Sequence, residues 1–478
     1  MIMAEKQEFK KSLGFLDSTA LVAGSMIGSG IFIVSADIAR HVGSPGWMIV
    51  VWAITGVMTI FAAISYGELA AMMPHAGGQY VYLREAFNPM TGFLYGWTLF
   101  TVIQTGTIAA VAMAFAKFSG VIVPWFSETN VLFELGFLKI STVHLLAIGM
   151  IAILTGNNLM GIKNGKWTQN VFTVLKVALL IGFIVLGLFF ARNPDAVAVN
   201  STYFWQPVAL DGKTLSGWAL IVAIGVAMVG SLFSSDAWNN ITFAAAEVKN
   251  PKRNIPLSLV AGVSLVTLLY ILTNLVYLNS LPLRGLVNGE SVFARGIQFA
   301  TNDRLGTASM FGLFGSLAAL LMSIFVVVST FGCNNGLILS GARVYYAMAK
   351  DKLFFQKAAV LNKNSVPANG LKVQAVWASL LCLSGTYSDL LDYVVFAVLI
   401  FYVLTIAGVF VLRHKRPNAE RPYKTLGYPV TPVIYILAAC LVMIVLLLYK
   451  PNFTWPGLII VVSGIPVYFI WKWLSARR

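Results

Sequence analysis

Residues 23–32, "AGSMIGSGIF", decide how this chain is read. They fall early in an apolar run long enough to be a membrane helix, yet they include three glycines and two serines. Each glycine in a helix interior costs about 1 kcal/mol relative to alanine. Non-helical backbone at membrane depth is tolerated only where it lines a cavity or is buried in protein. The stretch is therefore either a site or a packing notch, and the rest of the chain has to decide between them.

The 478 residues are 58% hydrophobic and 11% charged, with a mean hydropathy of +0.80. Soluble domains carry about 25% charged residues, so this chain is membrane-embedded. The polar start "MIMAEKQEFKK" and the length of the first apolar run argue against a cleavable signal peptide. Runs of about 20 apolar residues mark spanning helices. Twelve are expected, centred near residues 28, 60, 103, 150, 180, 232, 267, 330, 378, 402, 439 and 465. The stretch 279–305 leaves room for short amphipathic helices.

With both termini placed in the cytoplasm, 23 of the 33 Lys and Arg residues fall inside and nine outside, with Lys176 within a span. That bias is what the positive-inside rule predicts. The formal charge of +15 is thus topological, with some attraction to anionic lipid heads, and leaves no basic surface for nucleic acid. Cys333, Cys382 and Cys440 lie inside apolar segments without metal-ligand or disulfide spacing and read as small buried hydrophobes. Neither a metal cluster nor a nucleophile–base pair is apparent, so no cofactor and no enzyme activity are expected.

A second weak point is "GSLFSSDAWNN", residues 230–240, with Gly230, three serines and an intramembrane Asp236. If five helices form a repeat, helices one and six occupy corresponding positions. Paired interruptions at such positions point to a substrate site in inverted-repeat transporters. Unwinding frees N–H groups at the start of one half-helix, where the dipole favours a carboxylate. It also frees carbonyls at the end of the other half, which suit an ammonium group. An amino acid carries both poles. Gly24-x-x-x-Gly28 alone reads equally well as a small-residue packing motif, and only the pairing with the second break favours a site.

Asp236 has three readings. It faces a substrate ammonium or carries a proton, it caps the second half of helix six through the N–H of Trp238 or Asn239, or it sits in another buried pair. Lys176 lies nine residues past Trp167, roughly 13 Å along the helix, which favours a buried role over snorkelling to the interface. Glu68 and Glu247 flank the inner ends of helices two and six, where ion pairs closing an inner gate compete with a structural role.

Several stretches also carry a resemblance. "GSMIGSGIF", "YGELAAMMPHAGGQYVYLREAFNPMTGFLYGW", "DAWNNITFAAAEVKNPKRNIPLSL", "NGLILSGARVYYAMAKDKLF" and "RPYKTLGYPVTPVIYI" resemble the amino acid–polyamine–organocation superfamily. Within it they are most similar to bacterial members of the L-type amino acid transporter family, over essentially the whole chain. The resemblance implies an all-α polytopic LeuT-like fold of 5+5 inverted repeats, with helices one and six discontinuous. The first repeat would cover about 15–193, the second about 214–413, and two additional helices about 428–475, forming a single transport domain.

The resemblance also implies site roles. The amides of Gly28, Ser29 and Gly30 would hold the substrate carboxylate. The carbonyls of Met26 and Ile27, with Phe233 and its neighbours Ser234, Ser235 and Asp236, would meet the amino group. Phe233 would also gate, and Trp238 and Asn239 would take part in gating and coupling. Lys176 would tie the helix-one break to helix eight near Cys333, replacing a sodium ion. Relatives often read aromatic-Asp-Gly-Trp where this chain has Ser235-Asp236-Ala237-Trp238, which puts substrate size in question. The loop "VPWFSETNVLFELGFLK" has no cysteine for a disulfide-linked heavy chain.

The expected function is sodium-independent exchange of amino acids, chiefly neutral L-amino acids, by alternating access in the plasma (inner) membrane. The partners are the amino acid and the lipid bilayer. A proton-coupled amino acid or polyamine transporter and a transporter-like sensor without flux are the alternatives.

Overall fold

The computed structural model describes residues 8–135, 138–209, 211–283, 286–287, 290–291, 305–383 and 387–476. Most of the stretch 279–305, including the outer-side basics Arg284, Arg295 and Arg304, lies outside the described residues. The protein is an all-α polytopic membrane protein. Among the described residues ten helices are long and apolar enough to cross a membrane, or eleven if one bent pair counts as a single span.

That bent pair is the opening stretch. Helix α1 (Phe15–Met26) stops, three residues run non-helically, and α2 (Gly30–Val42) departs at 45°. Next come α3 (Pro45–Met72), the short α4 (Gln79–Ala86), and α5 (Pro89–Thr98) joined through a π-helical segment to α6 (Gln104–Ile122). Helices α7 (Thr142–Leu159) and α8 (Ile162–Phe189) and the short α9 (Pro194–Thr202) complete the first half.

A second broken helix follows. Helix α10 (Gly217–Ser234) breaks before α11 (Asn240–Phe243), and α12 (Pro251–Ser280) and α13 (Leu305–Phe314) follow. Then come α14 (Leu317–Lys350), α15 (Ala368–Cys382), α16 (Tyr387–Lys415), α17 (Val430–Tyr449) and α18 (Pro451–Ala476). The expected ninth span is α15, whose 15 residues rise only about 23 Å, short of the hydrocarbon thickness, so twelve is not reached by length alone.

Helix starts follow local chemistry. Ser44 accepts the Trp47 N–H ahead of Pro45, and Asn88 accepts the Thr91 N–H at 2.9 Å ahead of Pro89. In both, a capping oxygen satisfies an orphan amide and proline takes the first helical position, where no donor is needed.

On the face that carries the N-terminal segment, the helix ends are bolted by charge. Glu68 of α3 takes two hydrogen bonds from Arg413 of α16, at 2.9 and 2.7 Å, and the Thr425 N–H at 2.7 Å. Glu247, just after the helix-six break, takes two from Arg343 of α14, at 3.0 and 3.2 Å, with both side chains 1% exposed. The chain ahead of α1 is strapped to the same place. Ser12 and Leu13 donate to the Glu247 carbonyl, and Lys249 donates back to Leu13. The two carboxylates read from sequence as gate candidates are therefore both ion-paired.

Removing one partner of such a buried pair leaves an uncompensated charge and costs about 3 kcal/mol or more. Arg343→Met should lower thermal stability by that order, while Arg343→Met with Glu247→Leu recovers most of it. Equal losses in the single and double variants, measured by thermal unfolding in detergent, would contradict the pairing.

Candidate functional site

The regular hydrogen bonding of α1 ends where the Ile27 N–H donates to Ala23 at 3.0 Å. Carbonyls beyond that point lose their helical donors, and each unmet one in an apolar interior costs several kcal/mol. Every one from Gly24 to Gly28 has a side-chain donor. Lys176 of α8 places its ammonium against the carbonyls of Gly24 at 2.5 Å and Ile27 at 2.8 Å, and reaches the Ser329 carbonyl of α14 at 3.3 Å. The Ser329 hydroxyl donates to Ile27 and Gly28, both at 3.1 Å. The Cys333 thiol donates to Ser25 at 2.9 Å. The Tyr270 hydroxyl of α12 lies 3.1 Å from the carbonyls of both Met26 and Ser234.

Lys176 is fully buried. Its three carbonyl contacts stand in for lost water, because an ammonium has three donors and no other way to satisfy them at this depth. It links the helix-one break to helix eight, but through Ser329 rather than Cys333. The cysteine serves a neighbouring carbonyl, that of Ser25, instead.

The amides of the break face a different situation. Gly30 and Ile31 open α2, where the first N–H groups of any helix have no intrahelical acceptor. Phe32 already closes a tight turn onto Ser29 at 3.1 Å. Gly28, Ser29 and Gly30 are all buried, so this is a desolvated helix N-terminus of the kind that favours an anion.

The glycines divide between the two readings. A Cβ on Gly24 would fall 2.2 Å from Gln169 and Thr173 of α8, so Gly24 is a packing notch. A Cβ on Gly30 would fall 2.2 Å from the Ser234 hydroxyl, so Gly30 lets the two breaks touch. Tyr270 ties the same two breaks from the other side, through Met26 and Ser234.

In the helix-six break, Phe233 is 9% exposed and its carbonyl accepts the Asp236 N–H at 3.1 Å. The Ser234 hydroxyl turns back to Gly230 at 2.9 Å. Asp236 is not the cap of the second half: α11 begins four residues later, after Asn239, without a side-chain cap. The carboxylate instead accepts the Tyr402 hydroxyl of α16 at 2.5 Å. Trp238 packs edge-on against Tyr66 with ring centres 4.7 Å apart, and lies 5.3 Å from Tyr402. Asn239 donates to Gln79 at 2.8 Å, and Gln79 donates to Thr405 at 3.0 Å.

Two small cavities, of about 20 and 10 Å³, meet at Asp236 and Tyr402. Ser235 and Trp238 line the first, and Ala237 and Asn239 the second. Such volumes hold about one water each and no amino acid. The structure thus brings Met26–Gly30, Lys176, Ser234 and Cys333 together. It sets Asp236 against α16, Trp238 between α3 and α16, and Asn239 against α4.

The sequence profile of the family described as "Amino acid permease" matches residues 13–471. The chain belongs to that family. Among curated relatives, the b(0,+)-type amino acid transporter 1 of Mus musculus is 27% identical over 463 residues, covering 96% of this chain and 88% of its own. The large neutral amino acids transporter small subunit 2 of Oryctolagus cuniculus is 29% identical over 466 residues, covering 96% and 80%. The Homo sapiens protein of that name is 28% identical over 464 residues, covering 96% and 80%.

In this permease, sequence reasoning missed Tyr270, Ser329 and Tyr402. A signal existed for the first. Tyr270 and Tyr277 are two helical turns apart on one face of α12, and both reach helix-one carbonyls, Tyr277 at Ile31 over 3.0 Å. Ser329, one of several polar residues around Thr330 and Asn334, and Tyr402, in an apolar run, give no such pattern.

Ala237 adopts φ +65°, in the left-handed region that favours glycine. A Cβ there costs about 1 kcal/mol. Ala237→Gly should therefore raise thermal stability by about that amount, and a drop in stability would show that the Ala237 methyl packs better than its backbone is strained.

Proposed function

We propose that this permease is a sodium-independent exchanger of neutral L-amino acids, of the bacterial type within the L-type group. The reading rests chiefly on Lys176. Its ammonium occupies the junction between the helix-one break and helix eight with three carbonyl contacts, so the break has a resident cation. A transporter with that charge built in needs no sodium ion to organise the same carbonyls.

The substrate carboxylate is assigned to the amides of Gly28, Ser29 and Gly30, and the amino group to the facing carbonyls of the two breaks. The carbonyls of Met26, Ile27 and Phe233 already accept from Tyr270, Lys176, Ser329 and the Asp236 amide. Binding of an ammonium there uses second lone pairs or displaces a hydroxyl. Phe233 closes over the substrate, and Trp238 and Asn239 transmit the movement of the helix-six break to α16 and α4.

Alternating access follows if residues of about 15–193 and 214–413 act as inverted repeats, with about 428–475 outside them. The Glu68–Arg413 and Glu247–Arg343 pairs then form the inner gate. The relatives, transporters named for b(0,+)-type and large neutral amino acids, support an amino acid substrate. The Lys/Arg bias supports cytoplasmic termini in the plasma (inner) membrane. The cysteine-free loop 123–139 supports operation without a disulfide-linked heavy chain.

A second reading has an observation of its own. Asp236, hydrogen-bonded to Tyr402 beside two water-sized cavities, is placed to exchange a proton, which favours proton-coupled uptake.

Counterflow in proteoliposomes preloaded with single amino acids separates these readings. Exchange of neutral amino acids that ignores sodium and a pH gradient is expected. Sodium-stimulated flux would overturn the role of Lys176. A pH dependence that vanishes in Asp236→Asn would favour proton coupling, and absence of flux for every amino acid would leave a sensor.

A further inference from the structure

A large cavity lies away from the helix breaks, beside the end of α18. It has a volume of about 1010 Å³ and runs between the turn 356–359, the start of α15 and the end of α18. Three lysines line it, Lys352, Lys357 and Lys372, together with Phe355, Trp471 and Leu474, and no carboxylate is present among its described lining residues. Lys357 and Lys372 are exposed, and neither is in an ion pair among the described residues. Phe355 is edge-on to Trp471 with ring centres 5.2 Å apart, which gives the cavity an aromatic wall at the membrane boundary.

A second cavity of about 250 Å³ shares Lys372 and Val373 with the first and is lined otherwise by Phe100, Val376 and Trp377. Along α15, residues 369, 372, 373, 376 and 380 follow the three-and-four spacing of one helix face. That face changes from Asn369 and Lys372 to Val376 and Leu380, the last two 63% and 52% exposed. Polarity thus falls steadily along the direction in which the helix enters the hydrocarbon. A cavity with cations and no anions at its mouth, continued by an apolar groove, matches a molecule with an anionic head and a long apolar tail.

We infer that this face binds one anionic phospholipid, with its phosphate at Lys357 and Lys372 and an acyl chain along Val373, Val376 and Trp377. Lysine is suited to this task as a compact, mobile charge, and lysines beside a membrane surface each favour anionic lipid about fivefold.

The test uses the purified full-length protein in detergent, with bound molecules counted by native mass spectrometry. It is incubated with phosphatidylglycerol, with phosphatidylcholine of the same acyl chains, or with inorganic phosphate. The wild type should retain phosphatidylglycerol about thirtyfold better than phosphatidylcholine. The preference should collapse in Lys357→Gln/Lys372→Gln and persist in Lys163→Gln/Lys424→Gln, which removes two exposed lysines elsewhere. Equal retention of the two lipids, or a preference unchanged in the first variant, would overturn the proposal. Displacement of the lipid by millimolar inorganic phosphate would also overturn it, as a site for a free anion. If the first variant is not monodisperse, the wild-type preference and the phosphate competition decide the question.

Discussion

The structure depends on one ammonium group. Lys176 is buried at the level of a broken membrane helix and holds the carbonyls of Gly24, Ile27 and Ser329. Neither side of this arrangement is stable without the other. Unmet carbonyls in an apolar interior cost several kcal/mol each, and a buried ammonium without acceptors costs still more. Together they form a small polar core that keeps the break open. Serine, cysteine and tyrosine donors take the rest of the carbonyls, so the acceptor side of the break is almost fully engaged by protein. The donor side, at the start of α2, is where an external group has most to gain.

That asymmetry connects the site to the rest of the fold. The two breaks touch at Gly30 and Ser234, and Tyr270 bridges them, so movement of one half-helix loads the other. Beyond the breaks, the chain ahead of α1 is strapped to the segment after α11, and Glu247 in that segment is paired with Arg343. The end of each discontinuous helix is therefore tied to the same ion-paired face. The cavities beside Asp236, of about 20 and 10 Å³, hold about one water each.

Much of this was legible in the sequence, for physical reasons. Apolar runs separated by turn-rich and charged breaks located the helices, because hydrocarbon thickness sets their length. α15 is the exception, being only 15 residues long. The positions of both breaks followed from glycines and serines that no uninterrupted membrane helix would hold. Lys176 was legible from its depth. Its helix-eight partner was not, because Ser329 lies 153 residues away and uses a backbone carbonyl that any residue could supply. Asp236 misled for a related reason. A carboxylate beside a helix start suggests a cap, but a phenol from α16, 166 residues distant, competes successfully for it.

The account stands or falls on whether the open end of α2 binds a carboxylate. The direct measurement is equilibrium binding of leucine and of leucinamide to the purified protein, since the amide keeps the side chain and ammonium and removes only the anion. Two charge-assisted hydrogen bonds from backbone amides predict a loss of roughly a hundredfold for leucinamide. Equal affinities would show that the glycine-rich break is not the carboxylate site.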